Sequence, residues 1–507
     1  MLLAERGDAR TAFEASERMR AIHLRASLAV NERDIARGMS AAEREEERTL
    51  ATGVATLVAR IAREKGLPKP DTARIAALQQ SLDEATAQRR RWMAGLFERL
   101  PDLAAWRGLA TADATPDLKA LVSDERSLLL SFVLDEEALL MLAVTLPPVA
   151  PDADPAAPRE PVCRAFVVPV RRRQIAGMTA AISQAVLSDG TAWRKSVSAL
   201  TALFPAALTD LITAASRLAI VPHEVLWRVP FDALPAGDGY LGDRQHIVVG
   251  GSAAMLARAA RTAPAANTDV TVLGVPQLST ARIERLRQIA PAWSLRTEDE
   301  AAKELQAASG EPERTTTLTG AAATEQALRE AIGRAGIVHL ATPFRINSAS
   351  PLFSSALLSS PETPAAAPPV TGPDVPPTPA PPATEPRPAA RADATNDGAL
   401  ELREVMNLTG SARLAMFTDG AATAMRDSAA AADVVEWGWL AAGVPSILIA
   451  RWAAPPESRE RLLGEFHKRL RAGEPIGDAW AAAQQLIRST PATAAPVHWA
   501  GWMLLGR

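Results

Sequence analysis

Short apolar runs alternate with longer amphipathic segments over most of the chain beyond about residue 217. An uninterrupted apolar run of about four to eight residues is typical of a parallel strand buried on both faces. The segments between or after these runs carry apolar residues at helical spacing. We therefore expect an α/β fold, a mostly parallel sheet with helices on both faces. Central strands are predicted at 218–221, 270–275, 337–341, 414–418 and 447–449, and helices at 324–332, 434–442, 458–471 and 476–487.

The first hundred residues show a helical pattern instead. Apolar residues recur every three or four positions at 40–65 and at 72–100, among many charged residues. Two prolines separate these segments, and Asp71 is placed to cap the second one, which predicts an antiparallel helical hairpin. Residues 3–18 resemble the closing helices of a TPR repeat, although they amount to only a fraction of one repeat.

The start of the α/β part has its own pattern. The runs at 128–134 and 139–146 flank an acidic triplet and predict a strand, a turn and a second strand. Residues 164–170 are predicted to be extended, and 172–187 to be helical. The predicted domains are a TPR-like helical remnant at 1–33, the helical hairpin at 34–116 and the α/β domain at 117–507.

The composition changes abruptly between residues 359 and 398. Within 361–388 there are twelve prolines, and most other residues are small or charged. Such a segment lacks the donors for a β-ladder and the large apolar groups for a core. We predict a disordered insertion over 359–398. It is either a tolerated surface loop, which is the preferred interpretation, or a loop that regulates access of a partner.

Composition excludes several classes of function. The 507 residues are 48% hydrophobic, which leaves room for two to four domains with sizeable cores. The net charge of −3 gives no support for nucleic-acid binding. No apolar run is long enough to span a membrane or to act as a signal peptide, so we expect a cytoplasmic protein without a membrane segment. The oligomeric state is not predicted.

Neither a cofactor nor a metal is expected. The single cysteine, Cys163, excludes an intramolecular disulfide and paired-cysteine metal sites. His246, His467 and His498 have no metal-ligand spacing with one another. No phosphate-binding loop occurs, and the pair Gly250-Gly251 lacks the rest of a dinucleotide fingerprint.

Several segments in a fixed order resemble the CHAT domain family, the caspase-like cysteine peptidase domains often found beside TPR repeats. The closest in character are 337–344 (IVHLATPF) and 412–420 (ARLAMFTDG), which are similar to the family's two active-site strands. The other matching segments are 218–234, 240–256, 318–325, 351–354, 440–452 and 498–506. The resemblance begins at about residue 117 and implies a caspase-like fold.

The catalytic dyad implied by this resemblance is degenerate. The family places an imidazole after the first active-site strand and a thiol after the second, because peptide cleavage needs a thiolate activated by a nearby base. Here these positions hold Pro343 and Gly420, neither of which can transfer a proton or attack a carbonyl. Cys163 lies far upstream and is interpreted as a buried small hydrophobe. We therefore expect no catalytic residue at either position.

Three residues remain as weaker candidates for chemistry. His339 aligns with the family's first histidine, outside the dyad, and is interpreted as a hydrogen-bonded core residue. Thr418 and Asp419 end the second active-site strand and could combine with His339 as hydroxyl, carboxylate and base. The preferred hypothesis is a pseudo-peptidase that binds a protein or peptide partner as an interaction or signalling module. The alternative is a hydrolase acting through this unrecognised set.

Overall fold

The computed structural model describes residues 1–29, 32–108, 116–149, 159–187, 191–262, 267–289, 298–310, 312–360, 396–419 and 429–506. Most of the predicted proline-rich insertion (361–395) and Gly420 lie outside these residues. Ser359 and Gly398 lie within them and belong to the folded body. The Ser359 hydroxyl donates to the Gly320 carbonyl, and the Gly398 N–H donates to Glu325 Oε2.

Fifteen strands form within the described residues. They are β1 (Ser127–Leu134), β2 (Ala138–Thr145), β3 (Val162–Pro169), β4 (Arg217–Val221), β5 (Pro235–Ala236), β6 (Gly239–Tyr240), β7 (His246–Val249), β8 (Val270–Pro276), β9 (Thr315–Gly320), β10 (Ile337–Arg345), β11 (Ser355–Leu357), β12 (Ala399–Glu401), β13 (Leu414–Asp419), β14 (Ile447–Ala450) and β15 (Trp502–Leu505).

The described residues also form sixteen α-helices. They are α1 (Leu2–Glu5), α2 (Ala9–Ala29), α3 (Ala41–Lys65), α4 (Thr72–Arg99), α5 (Pro101–Trp106), α6 (Arg172–Leu187), α7 (Thr191–Thr201), α8 (Ala206–Ala214), α9 (Ala253–Arg261), α10 (Thr280–Ile289), α11 (Glu298–Ser309), α12 (Glu325–Arg334), α13 (Leu402–Val405), α14 (Ala429–Ala441), α15 (Pro456–Arg471) and α16 (Ile476–Arg488). No single described helix is long and apolar enough to cross a membrane, and one sharply bent pair, α7 with α8, meets that test on length and composition alone.

One mixed sheet of thirteen strands organises the molecule. Eleven strands follow one another in the order β12-β11-β10-β13-β14-β15-β7-β4-β1-β2-β3. The other two lie off this path: β8 also pairs with β10, and β9 pairs with β8. The strands β9, β8, β10, β13 and β14 pair in parallel, as do β7, β4 and β1. The five predicted central strands all lie in this sheet, so the α/β prediction is confirmed.

The strand β15, which the sequence analysis missed, joins the two parallel blocks. It runs antiparallel to β14 and parallel to β7. The two blocks therefore run in opposite directions. Parallel strands joined by crossover connections, as expected from the strand-helix alternation, are found within each block. Strand β15 lies between the two blocks and pairs with both.

Side-chain alternation explains how the sheet is buried on both faces. In β1, Leu128, Leu130 and Phe132 join the larger core, whereas Leu129 joins a second core beneath α2 and α9. In β10, every position from Ile337 to Phe344 is buried. A strand that must be apolar on both faces reads as a continuous run, which is why its pattern was visible in the sequence.

The predicted helical hairpin is present as α3 and α4. Ser40 and Glu43 form a reciprocal capping box at the start of α3, and Asp71 accepts the N–H groups of Ala73 and Arg74 at the start of α4. Arg107, which follows α5, forms a buried ion pair with Glu47 on α3, with 2.8 Å between Arg107 Nη1 and Glu47 Oε1. The predicted boundaries between domains stay a prediction.

The first long helix lies on the sheet. Helix α2 packs against β3 and α14. Its Arg20 reaches the carbonyls of Phe132, Pro222 and Gly251, on three different segments of the α/β part. The N-terminal helices therefore contribute contacts to the α/β body.

Candidate functional site

An open cleft of about 720 Å³ lies at the carboxyl ends of β8, β9, β10 and β13, with α11 along one wall. Its lining is mostly apolar, and the polar side chains in it are Gln277, Thr319 and Asp419. Crevices at the carboxyl ends of parallel strands are the usual ligand sites of α/β sheets. We refer to this feature as the cleft.

Pro343 and Asp419 face each other at the cleft. They are paired residues of the neighbouring strands β10 and β13, next to a shift in register after Leu340. Both line the cleft, and Asp419 is 7% exposed. Gly420 lies outside the described residues, so its predicted partnership with Pro343 stays a prediction. The residue before it, Asp419, is opposite Pro343, as the alignment of the two active-site strands requires.

A buried polar cluster lies between the strands that lead to the cleft and the helices α11 and α15. It consists of Glu304 on α11, His339 on β10, Thr418 on β13, and Arg459 and His467 on α15, and we call it the His339 network. His339 Nε2 is 2.8 Å from Glu304 Oε1 and 3.2 Å from Thr418 Oγ1, and its Nδ1 is 2.9 Å from His467 Nε2. Arg459 Nε lies 3.2 Å from the other Glu304 oxygen. Thr418 also donates to Glu304.

Burial favours the neutral form of His467 in this network. The pKa of His467 is lowered well below its usual value, mainly by burial and then by the neighbouring His339. A neutral His467 can donate from Nε2 to His339 Nδ1, and the N–H at His339 Nε2 is then directed at Glu304. Glu304 is thus the acceptor at the centre, and Arg459 supplies its opposite charge.

The structure places the predicted candidates in two environments. His339 and Thr418 are in hydrogen-bond contact, with exposures of 0% and 3%, and neither lines the cleft. Asp419 lines the cleft, and the carboxylate that joins the histidine and the hydroxyl is Glu304 instead. The interpretation of His339 as a hydrogen-bonded core histidine agrees with this geometry.

Cys163 is remote from the cleft. It lies on β3, at the opposite edge of the sheet, with six strands between β13 and β3. It is half-buried, and burial raises the pKa of its thiol above the usual value. A raised pKa lowers the thiolate fraction and with it the reactivity.

Three other histidines have structural partners. His223 accepts the Leu134 N–H at 3.1 Å, and burial lowers its pKa to about 4. His246 pairs with Asp478, and His498 contacts the Ser458 hydroxyl. No group of three metal-ligating side chains is arranged to hold an ion in the described part of the chain.

Sequence reasoning missed Glu304 and Arg459 and placed no role on His467. Their burial could have been inferred from the helical pattern, because all three lie in phase with apolar residues. Glu304 shares the buried face of α11 with Ala301, Leu305 and Ala308. Arg459 and His467 lie in the same way among Leu462, Leu463, Phe466 and Leu470 on α15. Ionisable residues in phase with an apolar stripe indicate buried pairs.

A second buried group carries perturbed acids away from the cleft. Glu17 on α2 and Asp433 on α14 both interact with Arg20, and Glu436 on α14 interacts with Asp433. We call these three acids the acidic cluster. Burial raises the pKa of Asp433 to about 7 and that of Glu436 to about 8. The Gly251 N–H donates to Glu436 at 2.6 Å. Since strongly perturbed acids occur in structural clusters as well as in active sites, we interpret the acidic cluster as a determinant of stability.

A mostly parallel sheet, helices on both faces and a cleft at the carboxyl ends of β8, β9, β10 and β13 define an α/β protein with a ligand-type crevice at its sheet edge. The CHAT domain family model matches residues 194–507, so the chain belongs to the CHAT domain family. A comparison with curated proteins finds no match.

Two solved structures, both titled as the Saccharomyces cerevisiae separase-securin complex, are similar to the chain. One has a TM-score of 0.42 and 8% identity, covering 90% of this chain and 37% of the other. The second has a TM-score of 0.30 and 9% identity, covering 57% of this chain and 15% of the other. The chain thus spans well under half of these matched chains.

Proposed function

We propose that the protein is a non-catalytic CHAT domain protein that binds an extended peptide at the cleft. The observation that supports this most directly is the lining of the cleft. It contains Pro343 where the family has its imidazole, and neither a thiol nor an imidazole is among its lining residues within the described part of the chain. Without a thiol and an imidazole, the cleft can bind a peptide but cannot cleave it by the family's thiolate chemistry.

The buried candidates do not replace the missing dyad. A nucleophile must reach the substrate carbonyl, and the Thr418 hydroxyl is enclosed by Glu304, His339 and the Leu340 carbonyl. His467 and His339 stack at 5.0 Å between ring centroids inside the core. Their arrangement supports the strands next to the cleft, as buried and mutually satisfied polar groups commonly do.

The edge of the sheet supports the peptide part of the proposal. Strand β9 pairs only with β8 among the described strands, and its last residues, Thr319 and Gly320, line the cleft. An extended peptide can add to such an edge through main-chain hydrogen bonds. Asp419 places a carboxylate in the same cleft, which favours a peptide with a basic side chain.

The purified protein is expected to lack peptidase activity, including cleavage after basic residues. Incubation with a peptide library followed by mass spectrometry tests this directly. A thiol-alkylating reagent should label Cys163 slowly, because its thiol pKa is raised by burial, and Cys163→Ala should bind peptides as the unmodified protein does. Turnover that disappears in Thr418→Val or His339→Ala would establish the hydrolase alternative instead.

Peptide binding should depend on Asp419. A labelled hexapeptide with one arginine is expected to bind in fluorescence anisotropy more tightly than its norleucine counterpart. Asp419→Asn should weaken the arginine peptide by about tenfold and leave the norleucine peptide unchanged, since a hydrogen bond to a charged group contributes about 1.5 kcal/mol or more.

Asp238→Asn is the matched control, because Asp238 is an exposed aspartate outside the cleft lining. It should bind both peptides normally. Equal affinity for the two peptides, or equal losses in the two variants, would contradict the proposed role of the cleft.

A further inference from the structure

A second cavity lies at the end of β13 opposite to the cleft, and it contains a buried cation that has no carboxylate partner among the described residues. This cavity of about 550 Å³ is bounded by residues of β4, β7 and α9, by the segments that precede β13 and β14, and by the start of α16. We call it the Arg413 groove. Arg413, the residue before β13, is 8% exposed and lies in its wall.

The guanidinium of Arg413 has one hydrogen bond in the described part of the chain. Its Nη2 donates to the Leu470 carbonyl in the last turn of α15 at 2.9 Å, and its buried Nε has no partner there. Burial lowers its pKa, and no neighbouring acid opposes that effect. A buried charge that lacks an opposite charge is costly, so an arginine in this state is poised for an anion.

The start of α16 adds a second source of positive potential to the groove. Ile476 and Gly477 line it, and the helix begins after Pro475 without a side-chain cap. The unpaired N–H groups of a first helical turn favour anions. At Gly477, an added Cβ would meet nothing within 4 Å, so the groove is open at this point.

The rest of the lining limits the kind of anion. Leu218, Val248 and Leu256 give the groove an apolar wall. The two acids in it already have partners, since Asp478 pairs with His246 at 2.6 Å and Glu474 pairs with Arg469 at 3.1 Å. These carboxylates would repel a multiply charged ligand, whereas one negative charge can be matched by Arg413.

We propose that the Arg413 groove binds a small organic carboxylate, with its single negative charge at Arg413 and its apolar body against β4, β7 and α9. The volume is in the range of small-molecule sites, about 300–1,000 Å³. A guanidinium matches a carboxylate through two parallel N–H donors. The site is independent of the peptide cleft, and its occupation does not depend on the proposed function.

The full chain should be titrated calorimetrically with hexanoate, hexanamide and inorganic phosphate. Hexanoate is expected to bind, hexanamide to bind at least about tenfold more weakly because the charge is missing, and phosphate to bind more weakly than hexanoate. Arg413→Met should lose hexanoate binding by about tenfold or more. Arg314→Met is the control, because Arg314 is exposed, is paired with Asp269 and lies outside the groove lining.

A second pair of variants keeps the test valid if Arg413→Met fails to fold. Gly477→Asp adds a negative charge in open space, and Gly477→Asn adds a neutral side chain of the same shape. Gly477→Asp should lose hexanoate binding, and Gly477→Asn should retain it. Equal binding of hexanoate and hexanamide, or equal hexanoate affinity in the two Gly477 variants, would overturn the proposal. Phosphate binding tighter than hexanoate binding would overturn the claim that the ligand has an apolar organic body.

Discussion

Replacing Glu304 with alanine is expected to lower the free energy of unfolding by ~3–5 kcal/mol, the usual cost of removing one partner from a buried ion pair. Glu304 is fully buried, accepts hydrogen bonds from His339 and Thr418, and forms an ion pair with Arg459. Without it, the Arg459 guanidinium, which is 3% exposed, loses the Glu304 carboxylate as an ion-pair partner inside the core. Urea denaturation followed by circular dichroism measures the change as a shift in the midpoint.

Two comparisons make this result specific to the His339 network. Glu304→Gln keeps the shape but removes the charge, so its loss should be smaller than that of alanine and still clear. Glu330→Ala removes an exposed partner of Arg334 and should cost less than about 1 kcal/mol. If Glu304→Ala and Glu330→Ala shift the midpoint equally, the network does not stabilise the strands beside the cleft.

The central sheet could be predicted because its strands are buried on both faces. A strand such as β10 must be apolar at almost every position, and that run stands out from its neighbours. The hairpin could be predicted for a different reason. Ser40 and Asp71 mark helix starts through local hydrogen bonds, which do not depend on the rest of the fold.

The edge strands and the joining strand were harder to find. Strand β9 is a run of threonines that is largely exposed, and β15 is a short segment at the end of the chain. Strand β9 lacks the apolar contrast that separates a strand from a loop. Strand β15 has that contrast, but at four residues it is short even for a strand. Their pairing with β8 and β14 is set by packing over long sequence distances.

The candidate site was predicted only in part. The two active-site strands could be recognised because each carries its own family motif. The structure then places Pro343 of the first strand opposite Asp419 of the second. The contact of His339 with Glu304 brings together residues of α11 and β10 that no local pattern relates. Only the presence of a charge on an apolar helix face could have indicated that Glu304 has a buried partner.

Asparagine at position 433 is expected to make the protein more stable than the wild type at pH 8 but not at pH 5. Asp433 has a folded pKa of about 7 against an ordinary value of 3.8, because burial disfavours its charge. Such a group stabilises the fold fully below its unfolded pKa, and this stability is lost as the pH rises through the folded pKa. A pKa change of this size corresponds to ~4 kcal/mol between about pH 4 and 8.

The same sign holds for Glu436, whose pKa is raised from 4.5 to about 8, so Glu436→Gln should behave like Asp433→Asn. Buried histidines act in the opposite sense. The pKa of His223 is lowered from 6.5 to about 4, so its contribution is present above about 6.5 and is lost as the pH falls. For that reason, the informative quantity is the difference in unfolding free energy between variant and wild type at each pH.

That difference should grow from pH 5 to about pH 7 for Asp433→Asn and then level off, whereas for Glu436→Gln it should grow to about pH 8. It should stay flat for the exposed control Asp238→Asn. The double variant should gain less than the sum of the single variants, because each carboxylate raises the cost of ionising the other. A difference in unfolding free energy that is the same at pH 5 and at pH 8 would mean that these two acids stay ionised in the fold and that their pKa values are not raised.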